Sequence, residues 1–195
     1  MLRRGDQALR FPRVLAGLWV AAVGLLLVVL ALRLRPQPYG LPNTRGWGDP
    51  GVPGSEAGRQ FALSEIVVLR AGGVRVRVHR QAAANFRGFL NALADTGYQI
   101  RQGDTGGFNH RYNVNNPDVL SEHSWGTAVD VNWTTNPNRP DCRLITDLPK
   151  GVKQLAKRWG LRWGGTFSCP KDPMHLEVRG TPADAARVAT ATLNR

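Results

Sequence analysis

Two short segments constrain this chain more than any other feature: Ser121-Glu122-His123-Ser124-Trp125-Gly126-Thr127-Ala128-Val129-Asp130 and Asp172-Pro173-Met174-His175-Leu176-Glu177. Each combines imidazole with carboxylate, and their shared chemistry needs them to meet. Fully extended, the seven steps from His123 to Asp130 span roughly 23 Å at ~3.3 Å each, so the chain must fold back between them. Gly126 supplies the permissive backbone for that reversal. After it, Val129, Val131 and Trp133 alternate with Ala128, Asp130 and Asn132, predicting a half-buried strand that turns Asp130 away from the core. In the second segment Met174, Leu176 and Val178 alternate with His175 and Glu177, a second short strand that Pro173 introduces.

Two histidines and an aspartate suit a divalent metal. A hydrolytic zinc takes three protein ligands at ~2 Å and leaves a fourth position to water, and His123, Asp130 and His175 are the predicted three. Manganese or iron also accepts such a donor set. A spare carboxylate beside the water serves as general base. Asp172 is the candidate, with Glu177 either a rival base or a hydrogen-bonding support for His175. The donor set therefore predicts a metal-dependent hydrolase.

At these residues the chain resembles the zinc peptidases that include VanY-type D-alanyl-D-alanine carboxypeptidases and L-alanyl-D-glutamate endopeptidases of bacterial and phage cell-wall lysis. The resemblance rests on Ser-x-His-x-x-Gly-x-Ala-x-Asp followed by Asp-Pro-Met-His-x-Glu, and extends to Trp159-Gly160-Leu161-Arg162-Trp163-Gly164-Gly165 and to Gly106–Arg111. It covers about Gln99 to Val178, more weakly back to Phe61. It implies zinc on His123, Asp130 and His175, Asp172 as general base, and Arg111 holding a substrate carboxylate or carbonyl. Ser121 and Glu177 would bind substrate or orient the ligands.

The implied activity is hydrolysis of peptide bonds in peptidoglycan stem peptides, at a D-Ala-D-Ala terminus or an L-Ala-D-Glu bond. Asp-Pro-Met-His looks more like the endopeptidases, whereas a terminal carboxylate held by Arg111 favours the carboxypeptidases. His110 and the pair Cys142 and Cys169 depart from the family pattern. The implied fold is shared with the hedgehog signalling domain, where a similar site is not used for conventional peptide hydrolysis. A noncatalytic, zinc-stabilised wall-binding or signalling domain is accordingly the alternative.

The 195 residues hold more than one such domain needs. Val14 to Leu32 contains no charged or strongly polar side chain, close to the ~20 residues that cross a bilayer. Arg3, Arg4, Arg10 and Arg13 precede it and Arg33 and Arg35 follow, which predicts a cytoplasmic N-terminus and an external C-terminal domain. The alternative is a cleaved signal peptide, but the apolar region is longer than ~7–15 residues and ends in Ala31-Leu32-Arg33-Leu34-Arg35, not in a small-x-small site. The expected organisation is a cytoplasmic 1–13, an anchor at 14–32, a Pro/Gly-rich linker at 33–60 and a peptidase domain at 61–195.

The whole chain carries a formal +12, and residues 36–195 keep twenty basic against thirteen acidic side chains. That field favours anionic lipid headgroups or wall polymers. Nucleic acid competes as an explanation for any basic protein, but an external location disfavours it and no basic-aromatic motif supports it. Cys142 and Cys169 fall in the external part, where they either form a disulfide or remain two thiols, Cys169 being a conceivable ligand.

The fold class expected is α+β: a small antiparallel sheet with helices packed on one face and the zinc cleft on the other, preceded by one transmembrane helix. Val74–Val78 alternates as a strand with arginines on its wet face, and helices are predicted at about 80–96, 149–159 and 182–193, the last capped by Thr181. His79 reads as a surface residue, and His110 either shapes the cleft or is a polar loop residue.

Overall fold

The computed structural model describes residues 46–194. The apolar run at 14–32 and the segment before it lie outside the described residues, among which no helix is long and apolar enough to cross a membrane. The fold is α+β, with four α-helices and small antiparallel sheets among those residues.

Strands β1 (Ile66–Ala71) and β2 (Val74–His79) form a ribbon turned at Gly72 and Gly73, with φ of 57° and 79°. Two successive positive φ values are what a tight two-residue hairpin with right-handed twist requires. The alternation in β2 is as predicted, with Val74, Val76 and Val78 buried and Arg75 and Arg77 exposed, and the unpredicted β1 buries Leu69 and Ala71 on the same side. Against the buried face packs α2 (Ala83–Ala94), through Phe86, Phe89, Leu90 and Leu93. A 3-10 turn at Arg80–Ala82 leads into this helix because the His79 ring accepts the Gln81 N–H, so the α-helix starts three residues later than expected. The helix is followed by Gly97 at φ 85°.

Two further sheets follow. Strands β3 (Tyr112–Asn113) and β4 (Asn116–Leu120) make a short, largely exposed ribbon. The strands β5 (Ala128–Asp130), β6 (Leu161–Trp163) and β7 (His175–Val178) form a three-stranded antiparallel sheet in the order β5-β7-β6. The single sheet expected from the sequence is thus divided into three. Helix α3 (Val152–Arg158) is shorter than predicted and starts without a side-chain cap, although Asp147 stands shortly before it. Its carboxylate instead takes the Tyr98 hydroxyl at 2.5 Å and the Asn136 amide at 2.9 Å. The final helix, α4 (Pro182–Leu193), begins where predicted, with Thr181 and Asp184 exchanging hydrogen bonds as a capping box.

The N-terminal part of the described chain corrects the expected linker. Trp47 is 1% exposed and belongs to the core, its indole N–H donating to Gly180 O at 2.9 Å. Helix α1 (Glu56–Glu65) follows, capped by Ser55, so residues 46–60 are part of the folded domain and not a tether. No apolar period marks this stretch, because one large residue does the packing. His79, expected at the surface, is also 1% exposed, with Trp47 edge-on at 5.0 Å between ring centroids.

Cys142 and Cys169 are disulfide-bonded, which excludes Cys169 as a ligand. The bond ties the loop after β5 to the approach to β7. Truncating Trp47 to Ala should cost about 3–5 kcal/mol of folding free energy, as for other fully buried Trp side chains. Urea denaturation followed by circular dichroism would read this as a lower midpoint at unchanged slope.

Candidate metal centre and cleft

The reversal after His123 is built from local parts. Ser121 Oγ accepts the His123 N–H at 3.4 Å and starts a 3-10 turn at Glu122–Trp125. Gly126 ends that turn at φ 67°, and a Cβ there would collide with the His79 backbone nitrogen and the Ile66 side chain. Strand β5 then carries Asp130 into register with His175 on β7. The expected alternation stops soon afterwards, because Asn132 takes φ 48° and buries its amide, which donates to Tyr98 Oη and Gln99 O at 2.9 Å each. Trp133, predicted on the core face, is consequently 41% exposed.

The three residues expected to bind metal come together. His123 Nε2 lies 3.1 Å from Asp130 Oδ2 and 3.2 Å from His175 Nδ1, and His175 Nδ1 lies 3.1 Å from Asp130 Oδ1. Each ring is anchored through its other nitrogen: His123 Nδ1 donates to Gly107 O at 2.7 Å, and His175 Nε2 to Glu177 Oε2 at 3.2 Å. With those protons committed, the inward nitrogens, once His175 gives up its second proton, present two imidazole lone pairs and a carboxylate to one point. Such a cluster repels itself unless a cation sits among its members. A tetrahedral centre with bonds of ~2.0–2.1 Å has edges of about 3.3–3.4 Å, so the observed separations fit a small divalent ion, and among the described residues this is the one such group.

The electrostatics agree. Burial would raise the Asp130 carboxyl, but the two histidines outweigh it and hold it well below the usual carboxylate range. Burial would depress His175, yet the hydrogen bonds and charges of Asp130 and Glu177 hold its imidazole well above the usual range. Glu177 is itself lowered, since His175 and Arg162 overcome its burial.

A cleft of about 510 Å³ opens onto these residues, and Arg111, Ser121, Asp172 and Glu177 all line it. Asp172 is raised by burial, and its Oδ1 is enclosed without a hydrogen-bond partner. The backbone there is held closely: Asp172 N–H donates to Gly164 O at 3.2 Å, and Trp163 Nε1 to Pro173 O at 2.7 Å. A Cβ on Gly164 would overlap the Asp172 carbonyl, which accounts for glycine in the Trp-Gly-Gly run. Arg111 is fastened beside His123, its N–H donating to Ser124 Oγ at 3.0 Å and its carbonyl accepting that hydroxyl at 2.8 Å.

His110 is not brought to the cleft. Its Nε2 meets Gly51 O at 3.1 Å, so it braces the N-terminal segment. Three cleft residues had no clear signal in the sequence. Glu122 is buried against Thr127 Oγ1 at 3.0 Å and is pushed up to about 7, by burial first and then by Glu177. Arg162 reaches Glu177 at 3.3 Å and lies 4.3 Å from the centre of the Phe167 ring. Only adjacency to the motifs could have flagged them.

Residues 115–178 match the family model described as D-alanyl-D-alanine carboxypeptidase. No curated protein and no solved structure matches the chain. The matched stretch contains the three converging residues together with Asp172, so the similarity to this family of peptidases falls on the site itself.

Proposed function

We propose that this protein is a membrane-anchored zinc peptidase that hydrolyses peptide bonds in peptidoglycan stem peptides outside the cytoplasmic membrane. The observation that carries the reading is the convergence of three electron-pair donors in one cleft with a carboxylate that has one enclosed, unpartnered oxygen. The family match supports the peptidase class. The apolar run at 14–32 supports the anchor, and the Cys142–Cys169 bond accords with an oxidising compartment.

His123, Asp130 and His175 hold the ion. Zinc bound there supplies a Lewis acid for the scissile carbonyl and lowers the pKa of water at the site. Gly107 O and Glu177 fix the two rings so that the required nitrogens face inward. Asp172 takes the proton of the attacking water and returns it to the leaving amine. Its burial keeps the carboxyl basic enough for that exchange. Arg111, on the cleft wall, holds a substrate carboxylate or steadies the negative charge that develops on the carbonyl oxygen. The bond cut is either the D-Ala-D-Ala terminus, which a carboxylate grip by Arg111 favours, or the L-Ala-D-Glu bond.

Three outcomes are expected. Incubated with muropeptides, the purified protein should release new amines detectable by mass spectrometry, and a chelator should stop it; the product masses name the bond. Binding without cleavage would favour a noncatalytic wall-binding domain instead. Asp172→Ala should keep stoichiometric zinc while kcat falls by about 10²–10⁴-fold, and full activity in that variant would move the base to Glu177. Because His175 is held protonated above the ordinary imidazole range, an ion must displace that proton. Calorimetry in buffers of different ionisation enthalpy should show proton release on zinc uptake at neutral pH, and affinity should weaken as pH falls.

A further inference from the structure

The loop after β5 and the approach to β7 form a ladder that the strand assignments leave out. Met174 N–H donates to Asn136 O at 3.1 Å, Arg139 N–H to Lys171 O at 2.6 Å, and Lys171 N–H to Arg139 O at 3.1 Å. The Arg139–Lys171 pairing is antiparallel, and the Cys142–Cys169 disulfide closes its open end. This register sets Asn138 directly opposite Asp172. Directly opposed residues in an antiparallel pair project to the same face with Cβ atoms about 4.5–5.5 Å apart.

At that position two enclosed polar atoms are left open. Asn138 Nδ2 is a buried donor without an acceptor, and Asp172 Oδ1 is a buried acceptor without a donor. Complementary atoms left unsatisfied on facing residues are unusual in a folded interior and costly to maintain. Asp172 lines the cleft and Asn138 does not. Burial raises the Asp172 carboxyl, and the Asn138 amide is among the groups that draw it back down.

We propose that Asn138 is the positioning residue for Asp172: its side-chain N–H holds one carboxylate oxygen and so aims the other at the reacting water. The proposal rests on the role given above to Asp172. A carboxylate rotates with little resistance about its terminal torsion, and a donor on one oxygen fixes its plane. The disulfide and the Arg139–Lys171 pair then hold the base in place, separately from the strands that carry the ion's ligands.

The test uses the full chain loaded with zinc. Asn138→Ala should lower kcat by about 10–100-fold, with KM, zinc stoichiometry and the unfolding midpoint close to wild type. Asn138→Asp matches the volume and lacks the donor, and it should be at least as impaired. A kcat within twofold of wild type for both variants overturns the proposal, as does a loss of activity that only follows loss of zinc or of folded protein. A second readout does not depend on turnover. In ¹⁵N-labelled protein the Asn138 side-chain amide protons should move upfield when Asp172 is replaced by Ala, and unmoved resonances overturn the proposal. Should the wild type cleave no muropeptide, the proposed function fails while the resonance measurement still decides for or against Asn138.

Discussion

The approach of His123 Nε2 and His175 Nδ1 to 3.2 Å from each other, and of each to 3.1 Å from one of the two Asp130 carboxylate oxygens, is the constraint on which the rest of the structure depends. Three donor groups that must all face one ion do not gather at such distances unaided, so the surrounding fold must hold them. The Gly107 carbonyl fixes one ring, Glu177 fixes the other, and the Asp130–His175 register places the third donor. The tight turn at Gly126 permits the first histidine and the aspartate to lie together although they stand seven positions apart. Removing any one of these supports would let the cluster relax by spreading.

Behind His175 the protein buries further charge. Glu177 serves the imidazole, Glu122 sits close enough to raise its own pKa against Glu177, and Arg162 partly neutralises the pair. Two carboxylates beside one imidazole would be unfavourable in isolation. Thr127 Oγ1 gives Glu122 a hydrogen bond, and the half-exposed guanidinium of Arg162 rests on the Phe167 ring.

Much of this was legible in the sequence wherever a local rule coincides with a tertiary need. The alternation of Val74, Val76 and Val78 with arginines gives β2, the Thr181-Pro182 start gives α4, and the reversal that Gly126 allows follows from chain length alone. Long-range packing overrode the local signal elsewhere. Trp47 lies in a Pro/Gly-rich stretch without periodicity yet fills the core, and His79 continues a strand whose outer side is covered by that same indole. Asn132 left no trace in the alternation, because a left-handed residue with a buried amide is a tertiary solution. Asn138 faces Asp172 through a pairing of loops, which no pattern of hydrophobicity encodes.

The order of the central sheet gives the cleft walls of unequal stiffness. Strand β7 is flanked on both sides, by β5 and β6, and all four of its residues are buried, so His175 stands on the least deformable part of that sheet. The β3–β4 ribbon, whose Asn113–Asn116 turn lines the same cleft, has two strands, little burial and a tip residue, Val114, that is 71% exposed. Segments with few buried contacts open at low free energy. Of the two walls, the ribbon is therefore the one that yields at lower free energy, and His175 stands on the one that resists displacement.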